Sequence, residues 1–225
     1  MGLKHFLIIP FNAGSKDLEW LKHRIQFFRA FTEPSIVNQT NKNFISVFLI
    51  DPSTPKEIKS LLEGLGILYE METFWAVQRE AEEEVNPEFS EFLKNLCDFD
   101  EWIVTSRVDN DDGLALDFIE KTQELFREKE EFIIYPNGLM WVGGKHFEKR
   151  TVSPPFGTLV ELTRPIKTVF YINHGSIPKK DHQSYGDKLM WIHTYHGKNL
   201  ATKPKRLGPE IKDMSRFRVE EVWLK

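Results

Sequence analysis

The run Phe44 to Ile50 (FISVFLI) constrains the fold most, because it is apolar on both faces and ends abruptly in Asp51-Pro52-Ser53-Thr54-Pro55. A strand with two apolar faces belongs in the middle of a parallel sheet with helices packed on either side. The neighbouring segments repeat the theme. His5 to Phe11 (HFLIIPF) reads as a strand closed by the turn Asn12-Ala13-Gly14-Ser15, followed by a helix with Leu18, Leu21, Ile25 and Phe28 on one stripe. Thr32, before Glu33 and Pro34, reads as the N-cap of a short second helix over Pro34 to Gln39. Lys56 to Leu65 has helical spacing, Ile67 to Tyr69 suits a third strand, and Trp102 to Val108 (WIVTSRV) a fourth. Ala115 to Phe126 forms a helical face, and Phe132 to Tyr135 and Leu139 to Val142 read as strands around a Pro136-Asn137-Gly138 turn. Beyond Gly143-Gly144 the period weakens, with strand-like pieces at Thr158 to Leu162 and Thr168 to Ile172. The acidic stretch with Glu80, Glu82, Glu83 and Glu84 reads as a solvated helical face broken at Pro87, and Lys198 to Lys212 as a loop or tail. The expected class is α/β, a mainly parallel central sheet flanked by helices.

In such sheets ligands collect at the carboxyl ends of the strands. Three strands deliver polar residues there: Asn12 after the first, Asp51 after the second, and Asp109-Asn110-Asp111-Asp112-Gly113 after the fourth. In an extended exit from the strand, Asp109 and Asp111 point to one side and Asp112 to the other, so the pair makes an arm for a cation and Asp112 reads as a helix N-cap. Paired carboxylates suit Mg²⁺ or Mn²⁺. An EF-hand is excluded, since Gly113 as its sixth residue puts Val108 at the first ligand position. No phosphate-cradling G-x-x-x-x-G-K-[ST] is present, and Cys97 is the lone cysteine, so neither an internal disulfide nor a thiolate-rich metal site can form. The net charge of −4 argues against nucleic acid as a partner. With no apolar run long enough to span a bilayer, a cytoplasmic protein without a transmembrane segment is expected.

The string Arg107-Val108-Asp109-Asn110-Asp111-Asp112-Gly113-Leu114, with Phe6 to Asn12, Pro34 to Thr40 before the strand that ends at Asp51, and Trp191 to Asn199, resembles the rhamnosyltransferase-like family of glycosyltransferases of the A-type (GT-A) fold. The resemblance implies one glycosyltransferase domain over 1–225, with a nucleotide-binding half of about 1–113, an acceptor half of about 114–200 and a basic C-terminal tail of about 201–225. It implies metal-dependent transfer of rhamnose or another hexose from a UDP- or dTDP-sugar to a glycan or other hydroxyl acceptor. Phe11, Asn12, Asp51, Arg107 and Asp109 would then line the nucleotide pocket, and Asp109, Asp111 and His196 would hold Mn²⁺ or Mg²⁺. An aspartate before the Trp191 to His196 motif is the expected base, Asp187 first and Asp181 second. His174, His182 and His193 read as surface or structural, and Trp141 and Trp191 as core before sugar platform. Two other readings fit the residues: a metal-dependent phosphohydrolase or nucleotidyltransferase, and a carbohydrate- or nucleotide-binding module without turnover.

Overall fold

The computed structural model describes residues 3–72, 87–97, 102–163, 166–172, 174–180, 182–199 and 207–224. Its larger sheet has seven strands: β1 (Leu3–Pro10), β2 (Ile45–Ile50), β3 (Ile67–Glu70), β4 (Trp102–Arg107), β6 (Glu131–Ile134), β9 (Thr158–Leu162) and β10 (His182–Ser184), in the spatial order β10-β6-β9-β4-β1-β2-β3. β1, β2, β3 and β4 are mutually parallel, and β9 runs antiparallel between β4 and β6. The α/β class with a mainly parallel sheet is the one the sequence predicts. Alternate side chains of one strand feed two cores, which is why these runs are apolar on both faces. Leu7, Ile9, Phe48, Ile50 and Val104 enter one cluster, and Phe6, Ile8, Val47, Leu49 and Ile103 enter the other.

The chain passes from β1 to β2 to β3 in one direction and returns to place β4 on the other side of β1. That reversal of strand order opens a crevice at the carboxyl ends of β1 and β4, where open α/β sheets take their ligands. A second sheet of four strands, β5 (Gly113–Leu114), β11 (Trp191–Tyr195), β7 (Asn137–Val142) and β8 (Lys145–Arg150), stands at the same end, because β5 leaves the loop that follows β4 and pairs antiparallel with β11. Trp191 is fully buried against Phe156, with its indole N–H donated to the Tyr135 carbonyl at 2.7 Å. A Cβ on Gly138 would fall 2.1 Å from that indole, so glycine is required there. Trp141 is buried between Phe27 and Phe31. Both tryptophans are core.

The helices depart from expectation at one place. α1 (Leu18–Phe27) does not stop before the second helix; it passes through a π-helical turn, Phe28–Thr32, straight into α2 (Glu33–Val37). Thr32 is helical and makes no side-chain cap; its hydroxyl instead donates to the Asp112 carbonyl at 2.7 Å. Wide turns of this kind fit the missing N–H of Pro34 and recur at functional sites. α3 (Lys56–Glu63), α4 (Pro87–Lys94) and α5 (Phe118–Glu124) lie where the spacing puts them. The acidic run at 73–86 is outside the described residues. Thr168 to Ile172 is not a strand: Thr168 has φ +61°, and its N–H and that of Lys167 are donated to the buried Glu161 carboxylate, so the segment turns. β8, unforeseen in the sequence, is mostly polar because only part of one face is covered. Of the expected tail, residues 208–211 run along β8, with backbone bonds from Glu148 to Pro209 and from Ile211 to His146, and the chain then reaches the π-helical turn, where the Glu220 N–H bonds the Ala30 carbonyl.

Candidate functional site

Beyond β4 the chain turns through a bond from the Asp112 N–H to the Asp109 carbonyl, 3.2 Å, and the three aspartates then face one cleft of about 360 Å³. Arg24, Arg107, Lys149, His174, His193 and Asn199 line it with them. Asp111 is the centre of the arrangement. One of its oxygens, Oδ2, accepts from the Arg24 guanidinium, from His196 Nε2 at 2.9 Å and from Asn199 Nδ2 at 3.3 Å. Asp109 stands nearer solvent and accepts from Arg107 Nε and Nη2 at 3.1 and 3.0 Å, while the Arg107 guanidinium rests on the Phe170 ring.

Asp112 is no N-cap. Five residues separate it from α5, whose cap position is Asp117, and its Oδ1 accepts the Thr194 N–H at 2.8 Å. Burial first, and then the neighbouring Asp109, push its pKa well above the usual carboxylate range. It therefore joins Asp109 and Asp111 in the cleft instead of turning away from them, because the chain bends after Val108 and does not stay extended.

β11 and the turn after it complete the site from the small sheet. His193 Nδ1 lies 3.1 Å from Lys149 Nζ, and burial, reinforced by that ammonium, lowers the His193 pKa to about 4. His196 has a side chain only 2% exposed; burial, then Arg24, lower its pKa to about 4, so the ring is neutral near pH 7. A carboxylate only accepts, so Nε2 carries the proton and Nδ1 accepts from His23 Nε2, 3.0 Å away on α1. The left-handed Gly197, φ +81°, turns the chain so that Asn199 comes back to Asp111 and to the Thr194 carbonyl.

Of the residues expected from the sequence, the cleft brings together Arg107, Asp109 and Asp111, and His196 reaches it through Asp111. Asn12 and Asp51 sit at the neighbouring strand ends and are linked by Thr54, whose hydroxyl donates to Asn12 Oδ1 at 3.0 Å and to the Asp51 carbonyl at 2.7 Å. Asp51 accepts from the Ser53 hydroxyl and N–H through Oδ1, which lowers its pKa, while its buried Oδ2 has no partner. Phe11 contributes its backbone only: the ring is core, stacked edge-on against Phe28, and its carbonyl accepts from Asn110. Asp187 does not line the cleft. It is exposed and accepts from the Tyr185 hydroxyl at 2.9 Å, because the chain after β10 turns outward before β11 begins. Asp181 lies outside the described residues.

Arg24, His23 and Lys149 escaped the sequence reading. Arg24 had a signal, an arginine three residues after Leu21 on the buried stripe of α1. Lys149 had none, since its strand is polar.

Asp109 and Asp111 are the carboxylates of the cleft that could hold a divalent cation. Among the described residues no group of three or more carboxylate, imidazole or thiolate side chains is arranged around one point. Ions such as Mg²⁺ are nevertheless held by one or two carboxylates and completed by substrate phosphates, and Asp111 already carries a cation in the form of the Arg24 guanidinium. Asp109 and Asp111 are the residues that would hold it; His196 has Nε2 on Asp111 and Nδ1 on His23, so it steadies the carboxylate and has no ring nitrogen left for the ion.

A family model described as "Putative rhamnosyl transferase" matches residues 16–207, from the start of α1 through the Asn199 turn. The chain belongs to this family. The match takes in Arg24, the Asp109 to Asp112 loop, Lys149 and His196 together. Among curated proteins none matches. Solved structures with similar folds include S. aureus TarS 1-349 in complex with UDP, 11% identical over 85% of this chain and 60% of that one, TM-score 0.49. The same protein in complex with UDP-GlcNAc is 10% identical over 87% and 59%, TM-score 0.45. A "putative nucleotide-diphospho-sugar transferase" from Desulfovibrio desulfuricans G20 is 10% identical over 82% and 79%, TM-score 0.40. The chain thus spans about 60% of the length of TarS 1-349. No helix of the described residues is long and apolar enough to cross a membrane.

Proposed function

We propose that this chain is a glycosyltransferase of the A-type fold that moves a hexose, rhamnose or a relative of it, from a uridine or thymidine diphosphate sugar to a hydroxyl of a glycan or other acceptor, with Mn²⁺ or Mg²⁺ at the diphosphate. The observation that carries this reading is the cleft at the strand-order reversal. Three aspartates and three cationic side chains, Arg24, Arg107 and Lys149, face one another there. In sugar transfer the acceptor oxygen bonds to the anomeric carbon while the bond from that carbon to the diphosphate breaks. The electron pair leaves on the diphosphate, and the hydroxyl proton passes to a base. The charge that develops on the leaving group is what the cleft is built to stabilise.

Arg107 presents a planar fork to the cleft, steadied by Asp109 on one side and by Phe170 beneath. Lys149 faces it from β8, half-buried, so its attraction for a phosphate is weakly screened. A divalent cation held by Asp109 and Asp111 would supply Lewis-acid stabilisation to the same diphosphate. The pyrimidine preference rests on Asp51: its unpartnered Oδ2 is an acceptor at the end of β2, of the kind that the imide N–H of uracil or thymine satisfies.

The test is incubation with a panel of nucleotide sugars and Mn²⁺, following release of nucleoside diphosphate. Release from uridine or thymidine diphosphate hexoses that chelator abolishes is expected. Liberation of inorganic phosphate, or binding without release from any donor, would replace this reading with a phosphohydrolase or a binding module.

A further inference from the structure

Arg24 is a buried cation in the one position where the proposed function needs another. Its guanidinium contacts Asp111 and lies at the edge of bonding distance from Asn110 Oδ1, 3.5 Å, and its group lies 5.0 Å from the Trp20 ring centre. Only 6% of the residue is exposed, yet its Nε has no acceptor. A buried guanidinium donor left empty carries an uncompensated desolvation cost, so the side chain is not fully satisfied where it stands. Asp111 is oversupplied by contrast, with three donors on a single oxygen. The mismatch between a donor short of an acceptor and an acceptor crowded with donors is relieved if a phosphate enters the cleft. The arginine then gains oxygens for its empty donor, and the carboxylate is released for a metal.

We propose that Arg24 is a diphosphate ligand that occupies the cation position on Asp111 until donor and metal bind, and then gives up Asp111 and turns its guanidinium to the diphosphate. The inference rests on the reading of Asp111 as a metal ligand. It makes α1 part of the donor site, and it explains why an arginine is placed on the buried stripe of a helix that otherwise packs through Leu21 and Phe27. Exchange of partners also keeps the count of buried charges balanced before and after binding, which a carboxylate waiting alone for its metal would not.

Two bindings that a merely structural arginine would not move in opposite directions provide the test. Mn²⁺ affinity is measured by electron paramagnetic resonance without nucleotide, and UDP affinity by calorimetry without metal, in wild type, Arg24→Gln and Arg24→Lys. Loss of the guanidinium removes a competitor for Mn²⁺ and a ligand for UDP. Arg24→Gln is expected to bind Mn²⁺ about tenfold more tightly and UDP about tenfold more weakly, each the size of one charge-assisted hydrogen bond. Arg24→Lys, which keeps the charge but not the fork, should shift both affinities the same way by less, and it decides the matter if the glutamine variant fails to fold. Mn²⁺ affinity unchanged or reduced in the folded variants overturns the proposal. Mn²⁺ binding by wild type in the presence of UDP separates the two failures: where it is seen, only the role of Arg24 falls, and where it is absent, the metal reading of Asp111 falls with it.

Discussion

Asp111→Ala is expected to damage the fold as well as the chemistry. A carboxylate at a strand end ordinarily contributes little to a core, but Asp111 has a side chain 6% exposed against an arginine side chain 7% exposed. Truncation leaves the Arg24 charge buried without a counter-ion, and removing one member of a buried pair costs about 3–5 kcal/mol. His196 Nε2 and Asn199 Nδ2 lose their acceptor in the same step. For a chain of this size each kcal/mol moves the melting temperature by about 2–4 °C, so a fall of about 6–20 °C follows. Asp111→Asn keeps an acceptor oxygen for these donors and should remain folded at 25 °C, while losing the charge that attracts a cation and with it about 10²-fold or more of donor turnover. Thermal melts of both variants alongside nucleoside diphosphate release separate the two effects. An alanine variant as stable as wild type would show that Arg24 and Asp111 do not pair in solution, and an asparagine variant with wild-type turnover would remove Asp111 from the chemistry.

Asp51→Ala should weaken UDP and dTDP binding about tenfold, the worth of one hydrogen bond to a charged acceptor, and leave ADP binding unchanged; calorimetry that finds all three equally affected would refute the contact. His5 is buried with a pKa lowered by that burial to about 3, so the unfolded chain takes up a proton near pH 6.5 that the folded one refuses. Its contribution to stability is therefore complete above pH 6.5 and lost as pH falls. Urea midpoints should drop less between pH 7 and 5 in His5→Gln than in wild type, and equal slopes would count against it. Gly138→Ala forces a methyl group into the Trp191 indole and should cost about 3 kcal/mol or more, read as a lower melting temperature; a variant that melts with wild type would mean that β7 and β11 are not packed as described.

The parts of the molecule that hydrophobic pattern controls could be read from the chain alone. β1, β2 and β4 are apolar on both faces because each feeds two cores, and the residues at their ends, Asn12, Asp51 and the aspartates from Asp109, were found by asking where such strands stop. The parts missed were those whose residues carry no pattern of their own. β8 (KHFEKR) looks like a polar connection because its partner β7 supplies the apolar side, and its Lys149 was missed with it. An extended chain would turn Asp112 away from Asp109 and Asp111, whereas the bond from its N–H to the Asp109 carbonyl bends the loop and brings all three carboxylates to one cleft. Asp187 is near the Trp191 to His196 motif only in sequence, and distance along the chain says little where an exposed segment precedes a strand.

What unites the site is that its charges are held from three directions by elements that must fold before any of them is useful. β4 delivers Arg107 and the aspartates from the large sheet, β11 delivers His193, His196 just beyond its end and, through the Gly197 turn, Asn199, and α1 delivers His23 and Arg24. The π-helical turn joins the third of these to the first, since Thr32 donates from it to the Asp112 carbonyl. Thr32→Val, nearly isosteric, therefore isolates that link. It leaves the Asp112 carbonyl short of one donor at a buried position, a cost of about 1–3 kcal/mol, and it frees the Asp109 to Asp112 loop to shift against α1. Turnover should fall by more than the melting temperature alone explains, and Mn²⁺-dependent binding of UDP should weaken with it. If the valine variant loses stability while UDP affinity and turnover stay at wild-type values, the loop is positioned by β4 and β5 without help from the helix, and the π turn is a packing solution for Pro34 and nothing more.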